Sequence, residues 1–166
     1  MTEKGKHIPI FDKDQKLANT LASSILFGLS HRYPDLAEEI KKHTLSVLDV
    51  GTGRGGMLES FRKSGLTKVV GIDYNKISGQ KETGAMRADA HFLPFQDESF
   101  NLVTSLGAFE SALYPNDLSK ILKEIHRVLK PGGVMVASDG LDFRLTPPEL
   151  HNLFEEIDMV GAWRKK

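Results

Sequence analysis

The sequence has no cysteine, no excess of either charge and no long hydrophobic run, and each absence excludes a class of protein. Without cysteine, disulfides, thiolate metal ligands and a cysteine nucleophile are excluded. Lysine plus arginine and aspartate plus glutamate both number 22, so no global field attracts nucleic acid or an anionic membrane. No stretch approaches the ~20 apolar residues that cross a membrane, and residues 1–7 lack a signal peptide's apolar run. We therefore expect a cytoplasmic protein with no membrane partner.

The remaining composition is that of an ordinary globular domain. Hydrophobic residues make up 40% and charged residues 27% of the 166 positions. A chain of this length can bury a core without metal or disulfide crosslinks, and no metal site is predicted. We expect one domain over 1–166, with a helical cap at 1–44, a ligand-binding core at 45–140 and a short helix and strand at 141–166.

Short apolar segments alternate with segments of helical periodicity. The predicted strands cover residues 46–50, 68–73, 86–89, 99–105, 134–138 and 159–163. The predicted helices cover residues 13–29, 34–43, 57–63, 115–129 and 146–156, with a short or broken helix within 75–85 and a turn at 130–133. This alternation predicts an α/β fold, a doubly wound and mostly parallel sheet with helices on both faces. The two N-terminal helices could cap a cleft or merely cover an edge of the sheet.

A glycine-rich turn follows the first strand. Gly51, Gly53, Gly55 and Gly56 occupy four of six positions between a buried strand and a helix, which is typical of a nucleotide-type ligand site. Taken alone, the turn also matches the GxGxxG fingerprint of dinucleotide-binding oxidoreductases, which keeps an NAD(P)-dependent enzyme open as an alternative. An acidic residue two positions before the first glycine argues against a pyrophosphate, because its carboxylate repels that group and attracts an ammonium or sulfonium.

The segment Asp49-Val-Gly-Thr-Gly-Arg-Gly55 resembles the DxGxGxG motif of class I, Rossmann-like methyltransferases that use S-adenosylmethionine (SAM). Further segments resemble other motifs of the family, in its order and spacing. They are Val70-Gly-Ile-Asp73, Ala88-Asp89-Ala90 with Leu93-Pro94-Phe95, Asp97-Glu-Ser-Phe-Asn-Leu-Val103, and Glu124-Ile-His-Arg-Val-Leu-Lys-Pro-Gly-Gly133. The resemblance covers roughly residues 45–140 and implies that SAM is the cofactor.

The resemblance also implies which residues hold the amino-acid tail of SAM. The backbone of Gly51, Thr52, Gly53 and Gly55 would contact the tail. Asp49 would face its ammonium, directly or through water. This role is physically reasonable, since a carboxylate attracts a cationic group at short range.

The adenosine part of SAM would lie farther along the same edge of the sheet. Asp73 is expected to accept hydrogen bonds from both ribose hydroxyls, which a carboxylate can do with its two oxygens. Tyr74 and Leu93 are candidates for sandwiching the adenine.

The adenine edge would be read by the next acidic position. By the same resemblance, Asp89 accepts from the adenine amino group and the Ala90 N–H donates to a ring nitrogen. Asp97 or Glu98 could take the place of Asp89.

The methyl acceptor is not identified by any motif. Ser105 and Leu106 are expected to flank the methionine portion near the methyl group. Methyl transfer from a sulfonium is an in-line displacement that depends mainly on alignment, so it does not require a conspicuous catalytic residue. Glu110, Tyr114 and His91 are weak candidates for contact with an acceptor, which we expect to be a small molecule.

Two features keep the function open. The family's fold ends in an antiparallel hairpin, and the chain after Asp139 is short, so this hairpin could be truncated and the seventh strand absent. An exposed sheet edge would then permit homo-oligomers. The protein could also bind SAM without transferring a methyl group, as a regulatory domain or with a partner subunit.

Overall fold

The fold is taken from a computed structural model. It describes residues 15–75, 83–109, 118–137, 148–157 and 161–166. Within these ranges, no helix is both long enough and apolar enough to cross a membrane.

Seven strands form one sheet in the order β3-β2-β1-β4-β5-β7-β6. They are β1 (Ser46–Val50), β2 (Lys68–Asp73), β3 (Ala85–Arg87), β4 (Phe100–Ser105), β5 (Leu129–Ala137), β6 (Phe154–Glu156) and β7 (Ala162–Lys165). The first five pair in parallel, and β7 runs antiparallel to both β5 and β6. The predicted α/β fold with a mostly parallel sheet is confirmed.

Helices cover both faces of this sheet. The described helices are α1 (Gln15–Arg32), α2 (Pro34–Lys41), α3 (Gly56–Lys63), α4 (Leu118–Val128) and α5 (Pro148–Leu153). Every residue of β1 is buried, as expected for a central strand of a sheet covered on both sides. Val47 packs in the cluster with α1, α2 and α3, whereas Leu48 and Val50 pack in the cluster with α4 and α5, because side chains alternate along a strand.

The N-terminal helices pack on the α3 side of the sheet. Ala18, Ala22 and Leu29 of α1 belong to the same buried cluster as Leu58 and Phe61 of α3. The described packing therefore sets α1 against α3 on one face of the sheet.

Arg164 of β7 attaches α2 to the C-terminal hairpin. Its guanidinium carbon lies 4.3 Å from the centre of the Tyr33 ring. Its Nε donates to the Gly132 carbonyl at 3.0 Å, and its Nη2 pairs with Asp35 at 3.2 Å. One side chain therefore links three segments that are distant in sequence.

The C-terminal hairpin, which the sequence left open as truncated, is complete in its pairing. Phe154 pairs with Lys165 and Glu156 with Trp163, so β6 and β7 supply the sixth and seventh strands. The predicted helix over 146–156 was wrong in its last turn, because the described helix ends at Leu153. The physical reason is Phe154, whose buried ring packs edge-on against His126 of α4 while its neighbours pair as a strand.

The segment Lys130–Gly133, predicted as a turn, lies inside β5. Leu129 pairs with Phe100 and Val134 with Leu102, so the ladder shifts register there. Gly132 has a φ of +71°, which a bulged strand accommodates most easily with glycine. The glycines therefore form a bulge that interrupts the ladder without ending the strand.

Other boundaries differ by a few residues, as at most element ends. The first helix continues to Arg32, the third strand ends at Arg87, and the last strand occupies Ala162–Lys165. The predicted start of the fourth helix at Pro115, and most of 75–85, lie outside the described residues.

Trp163 tests how much the hairpin contributes to stability. Its side chain is 1% exposed within the α4 and α5 cluster. We expect Trp163→Ala to lower the free energy of unfolding by about 3–5 kcal/mol, because it removes a large buried side chain. Chemical denaturation measures the change, with Glu155→Ala at an exposed position of β6 as control, expected within about 0.5 kcal/mol of wild type. A loss below ~1 kcal/mol for Trp163→Ala would show that the hairpin is not packed as described.

Candidate cofactor-binding site

The glycine loop after β1 folds back over the end of β2. The N–H groups of Gly51 and Thr52 both donate to the Ile72 carbonyl, at 2.8 and 2.9 Å. The Gly53 N–H donates to Oδ2 of Asp73 at 3.0 Å. Parallel pairing of Val50 with Ile72 makes this possible, since it brings the carboxyl ends of both strands together.

The loop after β4 closes against the first glycine. Gly51 has a φ of +75°, and a Cβ atom added there would lie 2.2 Å from Cβ of Ala108. Both the backbone angle and this contact therefore require glycine. The contact also brings the residues after β4 against the turn after β1.

The carboxylate of Asp73 can accept further hydrogen bonds beyond those that it makes within the protein. Its Oδ1 accepts from the Asn75 N–H at 2.8 Å, while Oδ2 accepts from Gly53. A carboxylate offers about four lone-pair sites, so one donor on each oxygen leaves room for further hydrogen bonds. The neighbouring Tyr74 is 59% exposed, and its carbonyl accepts from Nε of Arg87 at 3.1 Å.

Asp89 lies just beyond β3 and is paired with His91. Oδ1 of Asp89 accepts from the His91 N–H at 2.9 Å and contacts Nδ1 of the same residue at 2.6 Å. The pKa of the Asp89 carboxyl lies below its ordinary value, first because of the backbone hydrogen bond from His91, with burial acting in the opposite sense. Ala90 is buried, and the Ala88 N–H donates to the Asp73 carbonyl at 3.0 Å, which ties this loop to the end of β2.

Further candidates lie at the carboxyl ends of the neighbouring strands β1 and β4. Asp49 of β1 is 3% exposed, and Thr104 donates from its hydroxyl to Oδ1 of Asp49 at 2.6 Å. Ser105 and Leu106 are also buried. Among the residues that the structure describes, the hydroxyls of Ser105 and Thr52 have no hydrogen-bond partner.

The structure thus places the described candidates along one edge of the sheet, in the strand order β3, β2, β1 and β4. The glycine loop and Asp73 are in direct contact. His91 pairs with Asp89 at the β3 side, whereas Ser105 ends β4 and Leu106 follows it. Glu110 and Tyr114 lie outside the described residues.

A pair of side chains on α4 holds the loop that follows Asp89, and no function was predicted for it from the sequence. Arg127 donates to the carbonyls of Leu93 and Phe95, at 3.0 and 2.7 Å, and to Asp97 at 2.8 Å. Glu124 accepts from the Leu93 N–H at 2.7 Å and from two nitrogens of Arg127. The sequence signal for this pair was the E-x-x-R spacing, since residues three positions apart lie on the same side of a helix and can contact each other.

The two charges of this pair stabilise each other. Hydrogen bonds from Arg127 are the first cause that lowers the pKa of Glu124, and burial opposes them. Hydrogen bonds to Glu124, then to Asp97, raise the pKa of Arg127. The pair is therefore ionised at neutral pH and clamps residues 93–97 to α4.

A second unpredicted contact holds the start of α3. Nε2 of Gln15 donates to the Gly56 carbonyl at 3.0 Å and to the Ser60 hydroxyl at 2.9 Å. Ser60 also donates to Asn19 at 2.8 Å. Polar residues on a helix give no sequence signal for such a contact. The contact joins α1 to the helix that follows the glycine loop.

Gly51→Ala tests the closure of the loop. We expect a loss of about 2–5 kcal/mol in the free energy of unfolding, because the residue at positive φ costs about 1–2 kcal/mol and the overlap with Ala108 adds a packing cost. Binding of SAM, measured by calorimetry, is expected to weaken as well. Gly132→Ala is the matched control: its φ is similarly positive, but its Cβ would meet only the Arg164 side chain. Equal effects of both substitutions on SAM binding would contradict this geometry.

Arg127→Met tests the clamp. The change keeps an unbranched apolar stem but removes every Arg127 donor to residues 93–97, so we expect a loss of about 2–3 kcal/mol in stability and weaker SAM binding. Lys123→Met, at an exposed position of the same helix, should change neither quantity measurably. Wild-type affinity in the Arg127 variant would exclude a role for the clamp in shaping the site.

The chain is similar to a known protein family and to individual known proteins. The family described as a methyltransferase domain matches residues 48–137, more than half of the chain. Malonyl-[acyl-carrier protein] O-methyltransferase of Pseudescherichia vulneris is 30% identical over 160 residues, covering 93% of this chain and 57% of that protein. The mitochondrial protein of Mus musculus named arginine-hydroxylase NDUFAF5 is 34% identical over 113 residues, covering 64% of this chain and 32% of that protein.

One solved structure has nearly the same extent. A Methanococcus maripaludis protein, assigned provisionally as an S-adenosyl-L-methionine-dependent methyltransferase, has a TM-score of 0.55. It is 19% identical, and the match covers 99% of this chain and 95% of that chain, which supports the fold alone. The match spans about a third of the length of the Mus musculus relative and somewhat over half of the length of the Pseudescherichia vulneris relative. The prediction of SAM as the cofactor agrees with the family, and the chain belongs to the methyltransferase domain family.

Proposed function

We propose that the protein binds SAM at the carboxyl edge of β1, β2 and β4 and transfers its methyl group to a small-molecule acceptor. The observation that carries this proposal is the Asp73 carboxylate, which is held against the glycine loop by the Gly53 N–H. The family match over residues 48–137 includes this loop and the ends of all four strands that surround it.

The described residues fit SAM in their donor and acceptor chemistry. Asp73 has a further acceptor position on each oxygen for the two ribose hydroxyls. Asp89 uses Oδ1 for His91, which leaves Oδ2 as an acceptor suited to the adenine amino group. Asp49 supplies the negative charge for the ammonium of the tail, and the Gly51, Thr52, Gly53 and Gly55 backbone forms the wall of that pocket. The proposed SAM-binding residues also include Tyr74, Ala90, Ser105 and Leu106.

These residues bind and align, and none of them needs to exchange a proton. SAM supplies an electrophilic methyl group on a sulfonium. Because the donor is already activated, fixing the relative positions of donor and acceptor contributes most of the rate that the protein can supply. The buried walls formed by Ser105 and Leu106 would exclude water from the methyl group, and the Asp49 carboxylate would hold the tail at the other side of the glycine loop.

The acceptor is proposed to be small because a relative from Oryza sativa, 33% identical over 132 residues, is named a cycloartenol-C-24-methyltransferase. The Pseudescherichia vulneris relative is named an O-methyltransferase that acts on a carrier-bound malonyl group. The Mus musculus relative is named an arginine hydroxylase, so membership of this fold does not by itself fix the reaction. SAM binding without transfer is therefore the second candidate function, and the product assay below separates the two.

Asp73→Ala tests cofactor binding. We expect SAM affinity to fall by about 1.5–3 kcal/mol, as for lost hydrogen bonds to a charged group. Calorimetry with SAM and NAD(P) provides the measurement. Glu59→Ala, on the exposed side of α3, is the control and should bind SAM like wild type. An unchanged SAM affinity in Asp73→Ala would contradict the ribose assignment, and NAD(P) binding without SAM binding would contradict the whole proposal.

Release of S-adenosylhomocysteine distinguishes transfer from binding. Wild-type protein is incubated with SAM and a panel of small carboxylic acids, thioesters, amines and phenols, and products are followed by mass spectrometry. A mass gain of one methylene unit on an acceptor supports transfer. SAM binding with no product from any acceptor supports the binding-only function.

A further inference from the structure

Asp49 and Thr104 form a buried polar pair near the carboxyl ends of two central strands of the sheet. They are registered partners on the adjacent parallel strands β1 and β4. Asp49 is 3% exposed and Thr104 is fully buried. The 2.6 Å hydrogen bond from the Thr104 hydroxyl to Oδ1 of Asp49 joins them.

Burial of this pair is costly and needs a reason. A carboxylate removed from water loses its hydration, and only hydrogen bonds or opposite charges compensate for the loss. The neighbours Val47 and Leu102 on the same strands are apolar and fully buried, so the sheet tolerates apolar side chains here. A second buried polar pair, Ser46 and Asn101, lies toward the opposite ends of the same strands. It is therefore the position of Asp49 beside the glycine loop that connects the Asp49–Thr104 pair with the site.

Thr104 has the properties needed to fix the orientation of this carboxylate. A threonine side chain is branched at Cβ, so its hydroxyl has few available positions on a strand. A charge-assisted hydrogen bond of this length is among the stronger ones in proteins. Rotation of the Asp49 carboxylate would break the bond, so the oxygen that Thr104 holds sets the direction of the other.

Asp49 lies where such an orientation matters. It precedes Gly51 by two residues and shares the face of β1 that carries Val47, which packs with α3. The helix α3 begins at Gly56, directly after the glycine loop. The carboxylate is therefore on the side of the sheet where the loop and the start of α3 approach each other.

We propose that Thr104 is a positioning residue for the cofactor: its hydroxyl fixes the Asp49 carboxylate in the orientation that receives the ammonium of the SAM amino-acid tail. This inference rests on the proposed function. Thr104 acts through Asp49, and it contributes only to the binding of the amino-acid tail. The adenosine end, which contacts Asp73 and Asp89, is independent of it.

The test compares two ligands that differ only at the sulfur and tail. SAM carries the amino-acid tail, and 5′-deoxy-5′-methylthioadenosine carries the same adenosine without it. In calorimetry, Thr104→Val, which keeps the shape and removes the hydroxyl, should weaken SAM by about tenfold, the loss of one hydrogen bond to a charged group. Methylthioadenosine affinity should stay within about twofold. Thr104→Ser, which restores the hydroxyl, should recover most of the SAM affinity.

A double-mutant cycle separates positioning from packing. Asp49→Asn alone should weaken SAM but not methylthioadenosine, and adding Thr104→Val to it should cause little further loss, since the two residues act as one unit. Thr104→Ala gives a second variant without the hydroxyl if the valine variant is poorly folded by thermal melting. The same selective loss is expected for it.

Several outcomes would overturn the inference. Equal weakening of both ligands in Thr104→Val and Thr104→Ala would show a structural role alone. Wild-type SAM affinity in these variants, together with a lower SAM affinity in Asp49→Asn, would refute the positioning role of Thr104. The proposed function would remain intact. Failure of the wild-type protein to bind either ligand would instead refute the proposed function itself, and the inference with it.

Discussion

The hydrogen bond between the Gly53 N–H and the Asp73 carboxylate is the contact on which the candidate site depends. It joins the loop after β1 to the end of β2 at 3.0 Å, next to the two N–H groups that bind the Ile72 carbonyl. Together with those two bonds, it sets the position of the glycine loop relative to the acidic residue on the neighbouring strand. With it, one carboxylate both orders the loop and keeps acceptor positions for a ligand.

The parallel sheet extends this arrangement to more distant residues. Because parallel strands end at the same edge, β3 and β4 deliver their following loops beside the glycine loop. The Ala88 N–H and the Ala108 methyl group then connect those loops to Asp73 and Gly51. Interactions away from the edge, such as the Glu124–Arg127 clamp and the Gln15 amide, hold the supporting segments in place. Each part of the site is therefore fixed by at least one contact that the ligand does not make.

The sequence predicted the central strands and the glycine turn between β1 and α3 well, for a physical reason. A run such as Ser46–Val50 is apolar, β-branched and bounded by glycine, so local chemistry alone favours a buried strand. The helix predicted through Glu156 was wrong because one apolar residue, Phe154, contacts α4, and that contact depends on tertiary packing. The turn predicted at 130–133 was wrong because glycine is equally suited to a turn and to a bulge.

Long-range polar contacts were beyond prediction from the sequence. The side chains of Gln15, Ser60 and Thr104 have the residue types of ordinary helices and strands, and their partners lie about 40 to 55 positions away. Only the registry of β1 with β4 reveals that Thr104 lies against Asp49. The role of a residue such as Thr104 depends on which strands are neighbours and how they are registered, and the residue type alone does not give this information.

A crystal structure of the protein with S-adenosylhomocysteine tests the central claim most directly. The account predicts both ribose hydroxyls within about 2.5–3.0 Å of the Asp73 carboxylate oxygens, as O–H···O hydrogen bonds require. The amino-acid tail should lie against residues 51–55, with its ammonium facing Asp49. Electron density for the ligand at another place on the protein, or a ribose with no contact to Asp73, would contradict the account.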